Sequence, residues 1–520
     1  MSETDRHHLL LVEGTNFATV VTDTSDLSTA RGGSLLLLQA IEQIEKKLET
    51  TAISKGASVG IFALPQKTPS EAVATREQIE GWLAGTAPRK DDAVPNVLEL
   101  TPYATFIVET LARSDRFATD HEALIAKSRW RRMQAPNLAY PSEDARKVPA
   151  DPSGEIAEAL VCGTHSAAPA MEKQKIFKGK ARYVSRNVWH RRRFGVEQKQ
   201  TFYQPFLSTD LSKDGFSNAY ANELEEIACL SDTDRRALGD TTQKINRLDG
   251  KIAILFADGN SFSKRRRALV KERGEAGLET WDREILRQRE ELLAGLLAHL
   301  HGHGPLAYRY NENGNRLLRL ETLLYAGDDT LWILPAWLGI DAARLFFEQT
   351  KDWKIDDEDE APLTHAMGLV FCHHDAPIHR VTTLAKNLAG TAKRDRQKSR
   401  LAVEVLESFD HPGTDLSTYR QNRTPAAMRP EDWLLDPAGL DAAIAAAKQL
   451  IEAGLPRRQL RRHAMAVASN AAELEDSRKA LEKSFPCDEQ AVTTLGSCIG
   501  EEPWRWLHFE ILYDYLAATP

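Results

Sequence analysis

The run Leu323-Leu324-Tyr325-Ala326-Gly327-Asp328-Asp329-Thr330-Leu331-Trp332-Ile333-Leu334 constrains this chain more than any other stretch. Two apolar, strand-like segments flank a small residue, a glycine and two adjacent carboxylates. The segment reads as a β-hairpin with acids at its tip, where glycine supplies the backbone freedom a tight turn needs. Two aspartates on so short a loop repel each other unless a cation sits between them, and hard divalent ions, Mg2+ or Mn2+, suit such oxygen ligands. Upstream, Lys251-Ile252-Ala253-Ile254-Leu255-Phe256-Ala257 reads as a buried strand ending in Asp258-Gly259-Asn260-Ser261. If Asp258 meets the hairpin tip, the three acids form a two-metal site of the kind that clamps the attacking and leaving oxygens in nucleotidyl transfer. Each motif taken singly is equally well a polar turn after a strand; their shared order carries the metal reading.

A helix over residues 263–300 lies between the two motifs, giving the order strand, helix, hairpin found in the palm domains of nucleotide polymerases and cyclases. Downstream, the strand Gly368-Leu369-Val370-Phe371-Cys372-His373-His374 leads to Leu384-Ala385-Lys386-Asn387-Leu388-Ala389-Gly390-Thr391-Ala392-Lys393. Near the N-terminus, Thr22 to Leu37 passes from a small-residue turn into a helix. Together these segments resemble the large polymerase-cyclase subunit of type III CRISPR effector complexes, over most of the chain but on short motifs. The resemblance implies an α+β protein with two ferredoxin-like palm (nucleotidyl cyclase-like) domains, a linker domain and a C-terminal helical bundle. It implies that Asp258, Asp328 and Asp329 hold the metals and catalyse. It also implies that Gly259, Asn260, Ser261, Gly327 and Lys393, with Gly33 and Ser34 of the first palm, bind nucleotide. The activity implied is synthesis of cyclic oligoadenylate from ATP in antiviral defence, when a complex with guide RNA meets target RNA. Partners are then ATP, both RNAs and other CRISPR-associated subunits. Two departures stand out: Ala326 replaces the first glycine of the family's double glycine, adding a methyl group where backbone approaches nucleotide. The palm-like pattern also begins almost at Met1, so no histidine-aspartate nuclease domain is expected.

The expected organisation is a first palm-like domain without an acid pair over residues 1–125, a linker over 126–248, a second palm over 249–425 and a helical domain over 426–520. In the first, Leu9 to Val12 and Phe17 to Thr22 suit strands, Ser34 to Leu48 a helix, Ala57 to Leu64 a strand, Ser70 to Leu83 a helix and Val97 to Val108 a strand. In the second, a helix is expected over Ile378 to Ala392, with Lys386 and Lys393 toward its end. Lys393 suits a triphosphate as a point charge and equally a helix dipole as a cap. Lys264-Arg265-Arg266-Arg267 follows the Asp258 turn and suits either phosphate or a solvated face. The acid run Asp356 to Glu360 reads as solvated. Helical spacing recurs over 438–453, 457–483 and 504–518.

Between the palms, basic and aromatic residues interleave from Lys173 to Phe194. Cations neutralise phosphates and aromatic faces stack bases, so Lys178, Lys180, Arg182, Arg191, Arg192 and Arg193 are candidate single-stranded RNA contacts, a solvated basic loop being the plainer alternative. The chain's net charge of −8 means any such contact rests on a local patch, not on an overall basic field. Five scattered cysteines show no disulfide pattern and fit a reducing compartment. Cys162 and His165 have a zinc-like spacing but no second ligand pair, so zinc is not expected there. No apolar run approaches the roughly 20 residues of a membrane span and the first residues are too acidic for a signal peptide, so a cytoplasmic protein without membrane contact is expected.

Two rivals to the cyclase remain. A catalytically weak scaffold binding guide RNA and neighbouring subunits follows if Ala326 has cost activity; three mutually repelling carboxylates argue against it. A free-standing cyclic-dinucleotide synthase of the GGDEF type fits less well, because Thr330-Leu331 stands where that motif has glutamate and phenylalanine.

Overall fold

The computed structural model describes residues 8–135, 172–207, 220–407, 418–419, 434–483 and 503–520, less 16, 25, 57, 66–67, 86–95, 178–179, 185, 311–315, 357–360, 453 and 470–473. Strand β1 (His8–Thr15) is buried along nearly its whole length, which places it inside a sheet and not at an edge. Helix α1 (Leu27–Leu48) starts where the Asp26 side chain accepts from the Thr29 amide at 2.8 Å, seven residues before the start expected at Ser34. The hairpin β2 (Ala52–Gly56) and β3 (Val59–Leu64) follows. Helix α2 (Pro69–Ala84) then opens on a Thr68–Glu71 capping box, and β4 (Thr105–Ala112) completes the unit. The sheet order is β2-β3-β1-β4 with every pairing antiparallel, the split βαβ arrangement.

The same strand order recurs further on. Strand β7 (Lys251–Gly259) leads into the long helix α5 (Phe262–Gly302), interrupted at Gly274 with φ 63°. Then come β10 (Glu321–Ala326), β11 (Asp329–Pro335), α6 (Ala336–Thr350) and β12 (His365–His373). Their order, β10-β11-β7-β12, repeats that of the first sheet strand for strand. Helix α7 (Ile378–Ala392) returns the chain to β13 (Arg400–Val405), parallel to β12, and β14 (Leu434–Leu435) closes the edge. The second sheet's β14 thus comes from the region expected to be purely helical. Helices α8 (Pro437–Glu452), α9 (Arg457–Ser469), α10 (Leu474–Lys483) and α11 (Pro503–Ala517) follow. Small ribbons β5 (Glu172–Phe177) with β6 (Lys180–Val184), and β8 (Tyr308–Tyr310) with β9 (Arg316–Leu318), lie outside both sheets.

Three expectations need correcting. Phe17–Val20 is a short helix, not a strand. The expected strand over Val97 to Val108 splits: an Asn96–Glu99 capping box starts one helical turn at Val97, Pro102 sits in the turn that follows, and β4 begins at Thr105. The expected boundary at 125/126 falls inside helix α3 (Phe117–Gln134), whose largely polar sequence masked it.

Helix α4 (Arg186–Tyr203) is not linker in character, since it packs along α1 as part of the first unit. The crossing is close because both sides carry glycine: a Cβ at Gly32 would meet the Arg191 carbonyl oxygen at 1.9 Å, and one at Gly195 would meet that of Ser28 at 2.1 Å. Across the units, the buried Arg31 Nε donates to Glu321 Oε1 at 2.7 Å and Lys199 Nζ to Glu321 Oε2 at 2.8 Å, tying α1 and α4 to β10. One core is shared by α1, α7 and one face of the second sheet, while α5, α6 and the C-terminal helices cover the other face.

Candidate active site

Register brings the acids together. Strand β11 pairs with β7 from Pro335↔Ile252 to Thr330↔Ala257, so the next step of the ladder sets Asp329 against Asp258. Directly opposed residues of antiparallel strands share a face with Cβ atoms about 4.5–5.5 Å apart. Ala326 pairs with Asp329, which leaves the two-residue loop Gly327-Asp328 with Gly327 at φ 62°, a conformation only glycine adopts freely. One carboxylate oxygen from each of Asp258, Asp328 and Asp329 lies within 4.8 Å of the others. Along β7, Ala253, Leu255 and Ala257 face the core under α5 and α6, and Ile252, Ile254 and Phe256 face the core shared with α1 and α7. Asp258 has the second parity, so the acids emerge on the face turned toward the first unit.

The carboxylates repel one another. Burial, with the charges of Asp328 and Asp258, pushes the Asp329 carboxyl up to about 7. Burial and Asp258 raise Asp328 as well. Lys393 pairs with Asp258 through an Nζ–Oδ2 contact. Burial pulls the Lys386 ammonium down against the opposing pull of Asp329. Its Nζ lies 4.9 Å from the Phe17 ring centroid and 5.5 Å from that of Phe256. Behind the hairpin, the Arg289 guanidinium lies 4.3 Å from the centre of the Tyr325 ring. Burial pulls it below its ordinary value, opposed by Tyr325, Asp328 and Asp329. Three carboxylates with oxygens this close together suit a divalent ion held by oxygen ligands.

Phe17, Ser34, Leu38, Phe202 and Leu324 line a cleft between α1, the end of α4 and β10. Phe17 belongs to both the cleft wall and the surroundings of Lys386. Through Phe17 the first unit supplies apolar surface next to Lys386, whose charge acts on Asp329.

The other candidate residues separate into those at the site and those with architectural roles. Gly327 and Lys393 are at the acids, and Ser34 is on the cleft wall. Gly33 is buried, and a Cβ there would meet the Val20 carbonyl oxygen at 1.9 Å; it permits a close backbone approach inside the first unit and does not face the cleft. At Gly259, a Cβ would fall 2.4 Å from the Phe262 ring. Asn260 is buried, donating from Nδ2 to Thr364 Oγ1 at 3.0 Å and to the Lys398 carbonyl at 3.2 Å. It pins the corner at which β7 ends. Ser261 stands just before α5 in the left-handed region at φ 60°, and its side chain makes no capping hydrogen bond. Arg265 donates to the Ala361 and Pro362 carbonyls, and Arg266 lowers Asp328 by its charge.

The described residues of the basic stretch do not form one surface. Arg191 is fully buried and donates to both carboxylate oxygens of Asp23 at 3.1 and 2.9 Å, which removes it from the candidate RNA contacts. Arg192 lies 3.5 Å from Asp26, and the Arg193 guanidinium 5.5 Å from the Trp189 ring centre. Lys178, Cys162 and His165 lie outside the described residues, and so do the side chains of Lys180 and Arg182 on β6. Reading the sequence missed Phe17, Phe202 and Arg289, since nothing local marks an aromatic or a helical arginine as a neighbour of a distant hairpin.

No protein-family model matches the sequence, and no curated protein matches it. Among solved structures, the Csm1-Csm4 cassette in complex with pppApA aligns at TM-score 0.53 and 13% identity, covering 99% of this chain and 70% of that one. The cassette in complex with cA4 aligns at 0.51 and 14%, with the same coverage of each chain. The Csm1-Csm4 subcomplex of the type III-A CRISPR-Csm interference complex aligns at 0.49 and 14%, again over 99% and 70%. The first two likenesses show a shared fold. No helix among the described residues is long and apolar enough to cross a membrane.

Proposed function

We propose that this chain is the palm-domain subunit of a type III CRISPR effector complex and makes cyclic oligoadenylate from ATP by metal-dependent nucleotidyl transfer. The observation that carries the reading is the convergence of Asp258, Asp328 and Asp329 on the face turned toward the first unit. Two units of one strand order, the second with an acid hairpin and the first without, are what a pair of facing palm domains requires. The solved cassettes that share the fold bind pppApA and cA4, which adds support for adenylate chemistry.

In this reading Asp258, Asp328 and Asp329 hold Mg2+ or Mn2+. The bound ions supply charge neutralisation on the triphosphate and stabilise the attacking and leaving oxygens. Lys393 exchanges its contact with Asp258 for the triphosphate. The cleft along Phe17, Phe202 and Ser34 seats a nucleoside so that its hydroxyl attacks the α-phosphorus of the other ATP. The hydroxyl gives its proton to solvent, its oxygen forms the new phosphodiester bond as the α–β phosphoanhydride bond breaks, and pyrophosphate leaves. Guide RNA, target RNA and neighbouring subunits bind elsewhere on the chain, with Lys178, Lys180, Arg182, Arg192 and Arg193 still the candidate RNA contacts.

The test is mass analysis of the products formed from each of the four ribonucleoside triphosphates with Mn2+, with and without target RNA in the assembled complex. Cyclic adenylates lost in the Asp328→Asn, Asp329→Asn double variant are expected. The scaffold reading draws on one observation, the engagement of Asp258 by Lys393. It predicts neither product nor heat on titrating Mn2+ and ATP.

A further inference from the structure

Two histidines and an aspartate meet on the far side of the second sheet. His299 lies in the last turn of α5, and His303 caps that helix one turn on. Asp341 lies in α6 and is buried. His299 Nε2 is 2.5 Å from Asp341 Oδ2, His303 Nε2 is 2.8 Å from the same oxygen, and the two Nε2 atoms are 3.0 Å apart. The rings stand nearly perpendicular, at 81°.

Hydrogen bonds do not satisfy this triangle. An imidazole Nε2 either carries a proton and donates or carries a lone pair and accepts. If both nitrogens donate to the one oxygen, two N–H groups face each other across 3.0 Å with no acceptor between them. If one nitrogen accepts from the other, it has nothing to donate to the carboxylate. A cation at the centre satisfies all three atoms at once. Zinc bound at 2.0–2.2 Å to tetrahedral ligands sets those ligand atoms about 3.3 Å apart, so the three separations need to open by about 0.3–0.8 Å, the His299–Asp341 one the most. Histidines at i and i+4 on one helix face are a recurrent zinc pair. His299 is 31% exposed and His303 17%, which leaves solvent access for a fourth ligand.

We propose that His299, His303 and Asp341 bind one transition-metal ion of the zinc class, joining the end of α5 to α6. This site is separate from the acids. Helices α5 and α6 cover the face of β7 that bears Leu255 and Ala257, and Asp258 points from the opposite one. Its ligands also differ in kind: imidazole nitrogen selects zinc or cobalt, whereas three carboxylates select magnesium or manganese. The inference does not depend on the proposed nucleotidyl transfer.

The test uses the full chain stripped with a chelator, and the same chain carrying Asp258→Asn, Asp328→Asn and Asp329→Asn so that the acids hold no ion. Zn2+ alone is titrated, and Co2+ serves as a spectroscopic probe. One equivalent of Zn2+ is expected in the triple-Asn chain, with intense tetrahedral Co2+ bands that Zn2+ bleaches. His303→Gln is expected to weaken Zn2+ binding at least about 100-fold in the triple-Asn chain. Diethyl pyrocarbonate labelling of the unmutated chain gives a second readout that does not depend on the folding of that variant, and in it Zn2+ is expected to protect His299 and His303. No stoichiometric Zn2+ in the triple-Asn chain, equal affinity in the His303→Gln variant, or labelling unaffected by Zn2+ would each overturn the proposal.

Discussion

Asp329 shows at the scale of one residue how burial beside like charges makes ionisation costly. Its carboxyl, ordinarily near 3.8, is pushed up to about 7 by burial and by Asp328 and Asp258. Folding favours its protonated form, so its contribution is complete below about pH 4 and is lost as pH rises through 7. The metal-free chain is therefore expected to lose melting temperature from pH 5 to pH 8, and Asp329→Asn to flatten that slope. At pH 8 and without metal the variant is expected to be more stable by about 2 kcal/mol, a figure well below the full conversion of the shift because the three acids titrate together. Scanning calorimetry checks both, and a wild-type slope no steeper than the variant's contradicts the electrostatic account. A second prediction concerns Arg191. Asp23→Ala removes the carboxylate that compensates a buried guanidinium and is expected to cost about 3–5 kcal/mol in urea unfolding, while RNA affinity of the folded chain stays unchanged. The acids were legible in the sequence because each is tied to its own strand end by local chemistry. The burial of Arg191 was not, since its partner Asp23 lies 168 positions away.

At the scale of elements, close backbone approach governs how the first unit assembles. The Gly32–Gly195 crossing leaves no room for a side chain between α1 and α4. Gly195→Ala is expected to cost about 1–3 kcal/mol by overpacking, and Gly81→Ala, where a Cβ meets nothing within 4 Å, to be neutral or slightly stabilising in an exposed helix. Equal melting temperatures for the two variants contradict the tight crossing. Between the units, Glu321 accepts from both Arg31 and Lys199. Glu321→Gln leaves two buried cations under-compensated and is expected to cost about 3–5 kcal/mol, more than replacing the set with apolar residues of similar volume. Elements with strong apolar period were legible: α7 has the bounds expected, Ile378 to Ala392, and the acid hairpin lies where glycine and register put it. The helix at Phe17 and the split after Val97 were not, because an apolar run of that length suits a strand or a helix until capping decides.

For the molecule as a whole, the repeated strand order explains why a chain without a visible sequence repeat still presents two like units, one bearing acids and one bearing an apolar wall. The duplication was legible only as an alternation of strand and helix. Which face the acids occupy depends on β7 parity together with the packing of α1 and α7, and no single segment contains that information. The central claim is that three carboxylates from two strand ends share divalent ions. It is tested most directly by manganese binding to the purified chain, followed by electron paramagnetic resonance and calorimetry in wild type, Asp258→Asn and the Asp328→Asn, Asp329→Asn variant. The account predicts Mn2+ binding strengthened by ATP in the wild type and weakened at least about tenfold in each variant, Asp258→Asn included. Unchanged binding in Asp258→Asn would contradict it, because the strand-end acid would then take no part in the site.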